Sequence, residues 1–144
     1  RSADINDIAS IVELIRPLED SGALVKRSRE RLEEEIGYFS ILERDGRVLA
    51  CAALYPYEVE SVGEIACVAT HPDYRGTGRA RQLLDELIAE AKALSLTHVF
   101  VLTTQSTHWF LEQGFEAASP DDLPVEKQQL YNWQRSAAVL RRTV

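Results

Sequence analysis

A short glycine-containing segment, residues 75–79, carries the clearest sign of chemistry in the chain. It reads Arg75-Gly76-Thr77-Gly78-Arg79, follows the apolar run 64–69 and precedes a helical pattern that extends to Leu94. Backbone N–H groups at the start of a helix have no partner within the helix, and the helix dipole attracts anions to them. Glycine permits the positive φ and the close approach that such binding needs. The segment therefore predicts a phosphate-binding loop, and a tight turn without a ligand is the alternative.

The loop matches neither of two common phosphate motifs. The P-loop pattern G-x-x-x-x-G-K-[ST] and the dinucleotide pattern G-x-G-x-x-G are both absent from it. Residues 75–80, Arg-Gly-Thr-Gly-Arg-Ala, instead fit the pattern R/Q-x-x-G-x-G/A. Arg75, Arg79 and Arg81 add local positive charge.

Hydrophobic periodicity predicts the elements that must position this loop. Asp45-Gly46 is a strong two-residue hairpin signal between two strands. We expect an α/β domain with a mixed, mostly antiparallel central sheet and helices on both faces. The predicted helices are 4–18 (ending near Pro17), 29–38 (capped by Ser28), 79–94, 107–113 (stopped by Gly114) and 124–131. The predicted strands are 39–44, 47–55 (ended by Pro56), 64–69, 98–103, 115–117 and 137–142.

Length and charge narrow the function classes. The 144 residues suffice for one domain, residues 1–144, and the absence of an initial Met suggests that it is cut from a longer chain. The net charge of −7 argues against a broad surface for nucleic acid. No run of 18 apolar residues predicts a membrane helix, and no leader pattern is visible.

Cys51 and Cys67 are expected to be buried free thiols of a cytoplasmic protein, with a disulfide as the alternative. No spacing predicts a metal site.

Two segments resemble the Gcn5-related N-acetyltransferase (GNAT) family. One is the loop at 75–80, and the other is the aromatic helix Trp109-Phe110-Leu111-Glu112-Gln113, which ends in Gly114-Phe115. The resemblance implies the GNAT fold and acetyl-CoA as co-substrate, with its pantetheine arm on the strand before the loop and its pyrophosphate on the loop. The cofactor-binding residues that it implies are Cys67, Val68, Ala69, Arg75, Gly76, Thr77, Gly78, Arg79, Ala80 and Phe110.

Further segments, spread over about residues 3–142, resemble the acetyltransferase domain of the bacterial N-acetylglutamate synthase family. They include Gly63-Glu64-Ile65-Ala66-Cys67 and Val101-Leu102-Thr103-Thr104. This resemblance implies transfer of acetyl from acetyl-CoA to the α-amino group of L-glutamate, the first step of arginine biosynthesis. It also implies a preceding domain similar to amino-acid kinases. The sequence does not decide the oligomeric state.

A glutamate substrate has two carboxylates, which require cations or convergent backbone donors. The resemblance implies that Arg27, Lys127 and Arg135 hold the side-chain carboxylate, and that backbone near Val25 and Cys67 holds the α-carboxylate. Lys127 lacks the bidentate fork of arginine. The alternative for each of the three cations is a solvated surface charge.

Glu64 and Thr103 are the predicted catalytic residues. The amine must lose a proton before it attacks a thioester, and Glu64, at the start of the apolar run, is the candidate base. Many family members donate a proton to the leaving thiolate from a tyrosine in the aromatic helix, but Phe110 stands there in this chain. The resemblance points to the Thr103 hydroxyl instead. The alternatives are a solvent-facing Glu64 and a Thr103 that only caps backbone.

Two other functions remain open at this stage. One is a GNAT acetyltransferase for another amine, such as a protein N-terminus, a lysine or a small molecule. The other is a non-catalytic acyl-CoA-binding module, which Phe110 leaves open because it cannot donate a proton.

Overall fold

A mixed sheet of six strands organises the part of the chain described by the computed structural model, residues 1–131 and 137–144. The strand order is β1-β2-β3-β4-β6-β5, in which β3 and β4 are parallel and the other neighbours are antiparallel. The predicted mixed, mostly antiparallel sheet is therefore confirmed. The strands are β1 (Phe39–Arg44), β2 (Arg47–Tyr57), β3 (Val62–Thr70), β4 (His98–Thr103), β5 (Glu116–Ala117) and β6 (Ala138–Thr143).

Helices cover both faces of this sheet. Leu83, Leu84 and Leu87 of the long third helix pack on one face of β2, β3 and β4, whereas Ile8, Ile11 and Ile15 of the first helix pack on the opposite face. Each helix buries the apolar stripe that its periodicity predicts. The helices are α1 (Ile8–Asp20), α2 (Arg29–Glu35), α3 (Arg79–Ala93), α4 (Thr107–Glu112) and α5 (Val125–Tyr131). None of the helices described has the length and apolar character that crossing a bilayer requires.

Two prolines do not end their elements as predicted. Pro17 lies inside α1 on its exposed side, and its carbonyl still accepts from the Ser21 N–H at 3.1 Å, so the helix continues to Asp20. Pro56 lies within β2, opposite Gly63 of β3. β1 pairs with β2 only as far as Ala53. At Pro56 the edge of β2 that faces away from β3 is therefore unpaired, and the N–H that proline lacks costs little there.

Several local predictions are confirmed. Ser28 caps α2 by accepting from the Arg31 N–H at 3.1 Å, although the α-helix gives way to a 3-10 turn after Glu35. Asp45 and Gly46 both have positive φ, 53° and 76°, as a two-residue hairpin of primed type requires.

An irregularity in β3 opens the sheet where the loop begins. Between Ala66 and Ala69, β3 has one residue more than the opposing stretch of β2, and Cys67 within that stretch has φ 57°. The parallel pairing of β3 with β4 covers only residues 62–64 and 98–100. Beyond Glu64 the two strands are no longer paired with each other, so a wedge opens between them.

Candidate active site

The wedge between β3 and β4 forms a cleft of about 360 Å³. Its walls are residues 65–70 of β3 and residues 101–103 of β4, with Trp109 and Phe110 of α4 beside them. At one end the cleft reaches Arg75, Gly76 and Ala80 of the loop. The predicted loop and the predicted aromatic helix therefore border the same cavity, which is long and largely apolar.

The loop end of the cleft offers backbone donors. No hydrogen bond within the described residues engages the N–H groups of residues 76–81, and the first helical bond of α3 runs from the Gln82 N–H to the Gly78 carbonyl at 3.0 Å. Gly76 and Gly78 have φ of 76° and 83°, which suit glycine. The Arg79 guanidinium stacks over the Tyr74 ring at 4.9 Å. This arrangement can bind an anionic group of the phosphate class.

A buried carboxylate lies just beyond the opposite end of the cleft, one residue before the wall residue Ile65. Glu64 is only 7% exposed, and its register neighbours are Tyr55 on β2 and Phe100 on β4. Lys127 of α5 reaches it, with Nζ 3.1 Å from Glu64 Oε1. The alternative of a solvent-facing Glu64 is therefore wrong, and Lys127 is not a solvated surface charge.

Arg27 lies near the same carboxylate. Its Nη1 donates to the Val25 carbonyl at 3.1 Å and its backbone N–H donates to Glu19 Oε2 at 2.8 Å, whereas its buried Nε has no partner among the described residues. Burial acts to lower the pKa of Arg27, but the nearby ionisable groups, Glu64 among them, raise it by more. Arg27 therefore remains a cation at neutral pH.

The side chain of Cys67 packs in the core beside this charged end. It is 2% exposed, and burial raises the pKa of its thiol to about 11, an effect that Arg27 partly offsets. Cys67 is thus a neutral thiol at physiological pH, as a structural cysteine rather than an acyl-accepting nucleophile would be. Cys51 and Cys67 are both free and buried, as predicted.

Thr103 ends β4 on the cleft wall and is buried. Its Oγ1 accepts from the Ser106 N–H at 3.0 Å, so it caps the turn before α4. A hydroxyl that accepts one bond still has its own proton to donate. Phe110 packs edge-on against Trp109 and Phe115 and presents no donor to the cleft.

The remaining predicted residues divide into three groups. Cys67, Val68, Ala69, Arg75, Gly76, Ala80 and Phe110 line the cleft, and Thr77, Gly78 and Arg79 belong to the same loop. Val25 is exposed beside Arg27. Arg135 falls outside the described residues.

Sequence reasoning missed the tyrosines around Glu64. The Tyr55 hydroxyl donates to Glu35 Oε1 at 3.2 Å, and burial together with Glu64 raises the pKa of Tyr57 to about 12. Their alternation along β2 places both tyrosines on one face, and the register of β2 with β3 sets Tyr55 opposite Glu64. The alternation was visible in the sequence, but the register was not.

The fold and the cleft are those of an acyl-transfer protein family. Residues 6–115 match the model of the Acetyltransferase (GNAT) family, and the chain belongs to that family.

More specific similarity comes from individual proteins. The chain is 58% identical over 140 residues to the amino-acid acetyltransferase of Proteus mirabilis, covering 97% of this chain and 32% of that protein. It is 54% identical over 144 residues to the amino-acid acetyltransferase of Aeromonas salmonicida, covering 100% and 33% respectively. It therefore spans about a third of the length of these relatives.

A solved structure adds ligands to the comparison. N-acetylglutamate synthase from Neisseria gonorrhoeae, complexed with coenzyme A and N-acetyl-glutamate, superposes with a TM-score of 0.96 at 42% identity. The match covers 99% of this chain and 34% of the Neisseria chain. The same enzyme complexed with coenzyme A and L-arginine gives a TM-score of 0.90 at 40% identity, covering 100% of this chain and 32% of that one.

Proposed function

We propose that this chain is the acetyl-transfer domain of an N-acetylglutamate synthase and acetylates the α-amino group of L-glutamate, the first step of arginine biosynthesis. The observation that carries the proposal is the buried ion pair of Glu64 with Lys127, which has a second cation, Arg27, in its neighbourhood. The domain would be the C-terminal part of a longer chain that also holds an amino-acid-kinase-like domain. Its buried free thiols are ordinary for the cytoplasm, where we place the reaction.

Acetyl-CoA fits the loop end of the cleft. The unengaged N–H groups of residues 76–81 are suited to its pyrophosphate. The irregularity of β3 around Cys67 and the apolar walls of the cleft suit the pantetheine arm. When bound, acetyl-CoA supplies a thioester, an acyl group activated toward attack by an amine.

L-Glutamate fits the opposite end because its charge is complementary. The guanidinium of Arg27 and the ammonium of Lys127 can bind its side-chain carboxylate, and Arg135 is proposed as a third cation. Backbone donors near Val25 and Cys67 are proposed for the α-carboxylate. A substrate with a neutral or cationic side chain would offer no anion to Arg27 and none to compete with Glu64 for Lys127.

Glu64 is proposed as the base. It accepts a proton from the substrate ammonium group, directly or through a water, which frees the nitrogen lone pair for attack on the acetyl carbonyl carbon. The new N–C bond forms and the C–S bond breaks, with the sulfur taking the electron pair; the second proton that the nitrogen loses passes, directly or through water, to the thiolate and gives free CoA. The Thr103 hydroxyl is proposed to donate a hydrogen bond to the leaving sulfur.

The test is an amino-acid panel. The domain, and in parallel the longer chain that contains it, is mixed with acetyl-CoA and each amino acid in turn, and thiol release is followed. The proposal predicts release with L-glutamate well above that with L-glutamine or L-lysine. Release with lysine or with peptide N-termini alone would identify an acetyltransferase for another amine, and CoA binding without release would identify a binding module.

A further inference from the structure

The Glu64–Lys127 pair joins two residues that the proposed reaction uses separately. Nζ of Lys127 lies 3.1 Å from Oε1 of Glu64, and the two side chains are 11% and 9% exposed. The candidate base is thus bound by a group that is expected to bind substrate. Because lysine carries one compact charge, its interaction with one carboxylate weakens its interaction with another.

A buried ion pair such as this one exchanges one carboxylate for another more readily than it separates into two unpaired charges. Breaking a buried ion pair by removing one partner is strongly unfavourable, because a buried charge is left without compensation. Replacing one carboxylate partner by another keeps each charge matched. The substrate's own ammonium group, which must approach Glu64 to give up its proton, takes the place of Lys127 as the cation at that carboxylate.

We propose that Lys127 exchanges carboxylates during substrate binding. In the free protein it holds Glu64, and the side-chain carboxylate of L-glutamate draws it away. Glu64 then becomes free to accept the substrate proton only when a dicarboxylic amino acid is bound. The inference rests on the proposed function and adds to it a link between substrate recognition and the availability of the base.

The exchange has a consequence for specificity. L-Glutamine has nearly the same shape as L-glutamate but carries no side-chain anion, so it cannot draw Lys127 from Glu64. Lys127 therefore selects substrate in the catalytic step as well as in binding. Discrimination by recognition alone would appear in KM, whereas discrimination by exchange also appears in kcat.

The exchange can be observed directly at the lysine nitrogen. The chain has three lysines, Lys26, Lys92 and Lys127, so a protein labelled with 15N at lysine Nζ gives a simple spectrum. Lys26→Met and Lys92→Met, both at exposed positions, assign the Lys127 resonance by elimination and keep both Lys127 and Glu64. The titration uses saturating CoA with L-glutamate and, separately, with L-glutamine.

The expected result is a Lys127 resonance that moves in Glu64→Gln and moves, to a different position, when L-glutamate binds to the unaltered protein. L-Glutamine leaves it in place. A resonance that Glu64→Gln does not affect would overturn the pair. The exchange would be overturned by a resonance that stays in place at saturating L-glutamate, in a preparation that acetylates L-glutamate when it is given acetyl-CoA. The second measurement needs no variant at the site, so misfolding of Glu64→Gln does not affect it.

Steady-state kinetics give an independent reading. We expect saturating L-glutamine to reach a kcat at least about tenfold below that of L-glutamate, with Lys92→Met as a control that leaves both unchanged. Equal kcat values with a raised KM for L-glutamine would overturn the exchange. Absence of acetyl transfer to any amino acid would instead overturn the proposed function, so the two failures are distinguishable.

Discussion

The two ends of the cleft present different kinds of binding group. At the loop end the donors are backbone N–H groups of residues 76–81, which are contiguous in the sequence and exposed or half-buried. At the other end the groups are side-chain charges from three distant parts of the chain, the buried pair Glu64–Lys127 and the half-buried Arg27 near it. If the proposed function holds, cofactor binding depends on local backbone geometry, whereas substrate selection depends on tertiary structure.

Glu64→Gln gives the largest effect. The amide cannot accept the substrate proton, so we expect kcat to fall by about 10²- to 10⁴-fold. CoA binding, measured by calorimetry, stays within about twofold because the loop end is untouched. The exposed Glu60→Gln is the matched control. Equal loss of CoA affinity in Glu64→Gln would break the separation of the two ends.

Arg27→Gln tests the substrate end and keeps the Glu64 carboxylate in place. Loss of a charge-assisted bond to a carboxylate costs about 1.5–3 kcal/mol, so the KM for L-glutamate should rise by roughly 10- to 100-fold. The KM for acetyl-CoA should stay unchanged. Arg29→Gln, at an exposed residue two positions away, should alter neither value. An unchanged glutamate KM in Arg27→Gln would remove Arg27 from the site.

Gly78→Ala tests the loop end. Gly78 has φ 83°, a conformation that costs an L-residue about 1–2 kcal/mol, although a Cβ there has no atom within 4 Å. We expect the KM for acetyl-CoA to rise about tenfold while that for L-glutamate stays unchanged. Gly37→Ala is the control, because Gly37 has equal space and no positive φ. A changed glutamate KM would show that the two ends are coupled.

Cys67→Ala gives the smallest effect and tests the cleft wall between the two ends. The raised thiol pKa of about 11 keeps Cys67 protonated at neutral pH, so turnover should change by less than about threefold. In the unaltered protein, alkylation of Cys67 by iodoacetamide should stay slow at pH 8 and accelerate as the pH approaches 11. Rapid alkylation at pH 7, or loss of turnover in the variant, would make Cys67 a reactive nucleophile.

The features that sequence predicted best are local. The strand His98–Thr103, the cap at Ser28 and the Asp45-Gly46 turn depend on neighbouring residues, and the structure confirms them. Pro17 and Pro56 were misjudged because their effect depends on which side of the element is exposed or unpaired. That information comes from tertiary structure.

The candidate site divides in the same way. The loop at 75–80 is a contiguous motif and was found directly. Glu64, Arg27 and Lys127 were named from a family resemblance, but the 3.1 Å contact between Glu64 and Lys127 depends on how α5 packs against β3. No pattern in the sequence specifies that distance. The contact makes Lys127 a partner of the proposed base as well as a proposed substrate contact.

A structure of this chain with CoA and N-acetyl-L-glutamate tests the central claim most directly. The account predicts that the pyrophosphate lies on the N–H groups of residues 76–81, and that the substrate side-chain carboxylate lies within hydrogen-bond distance of Arg27 and Lys127. The acetylated nitrogen should then face Glu64, with Lys127 no longer in contact with that carboxylate. A product carboxylate held elsewhere, with the Glu64–Lys127 pair intact, would contradict it.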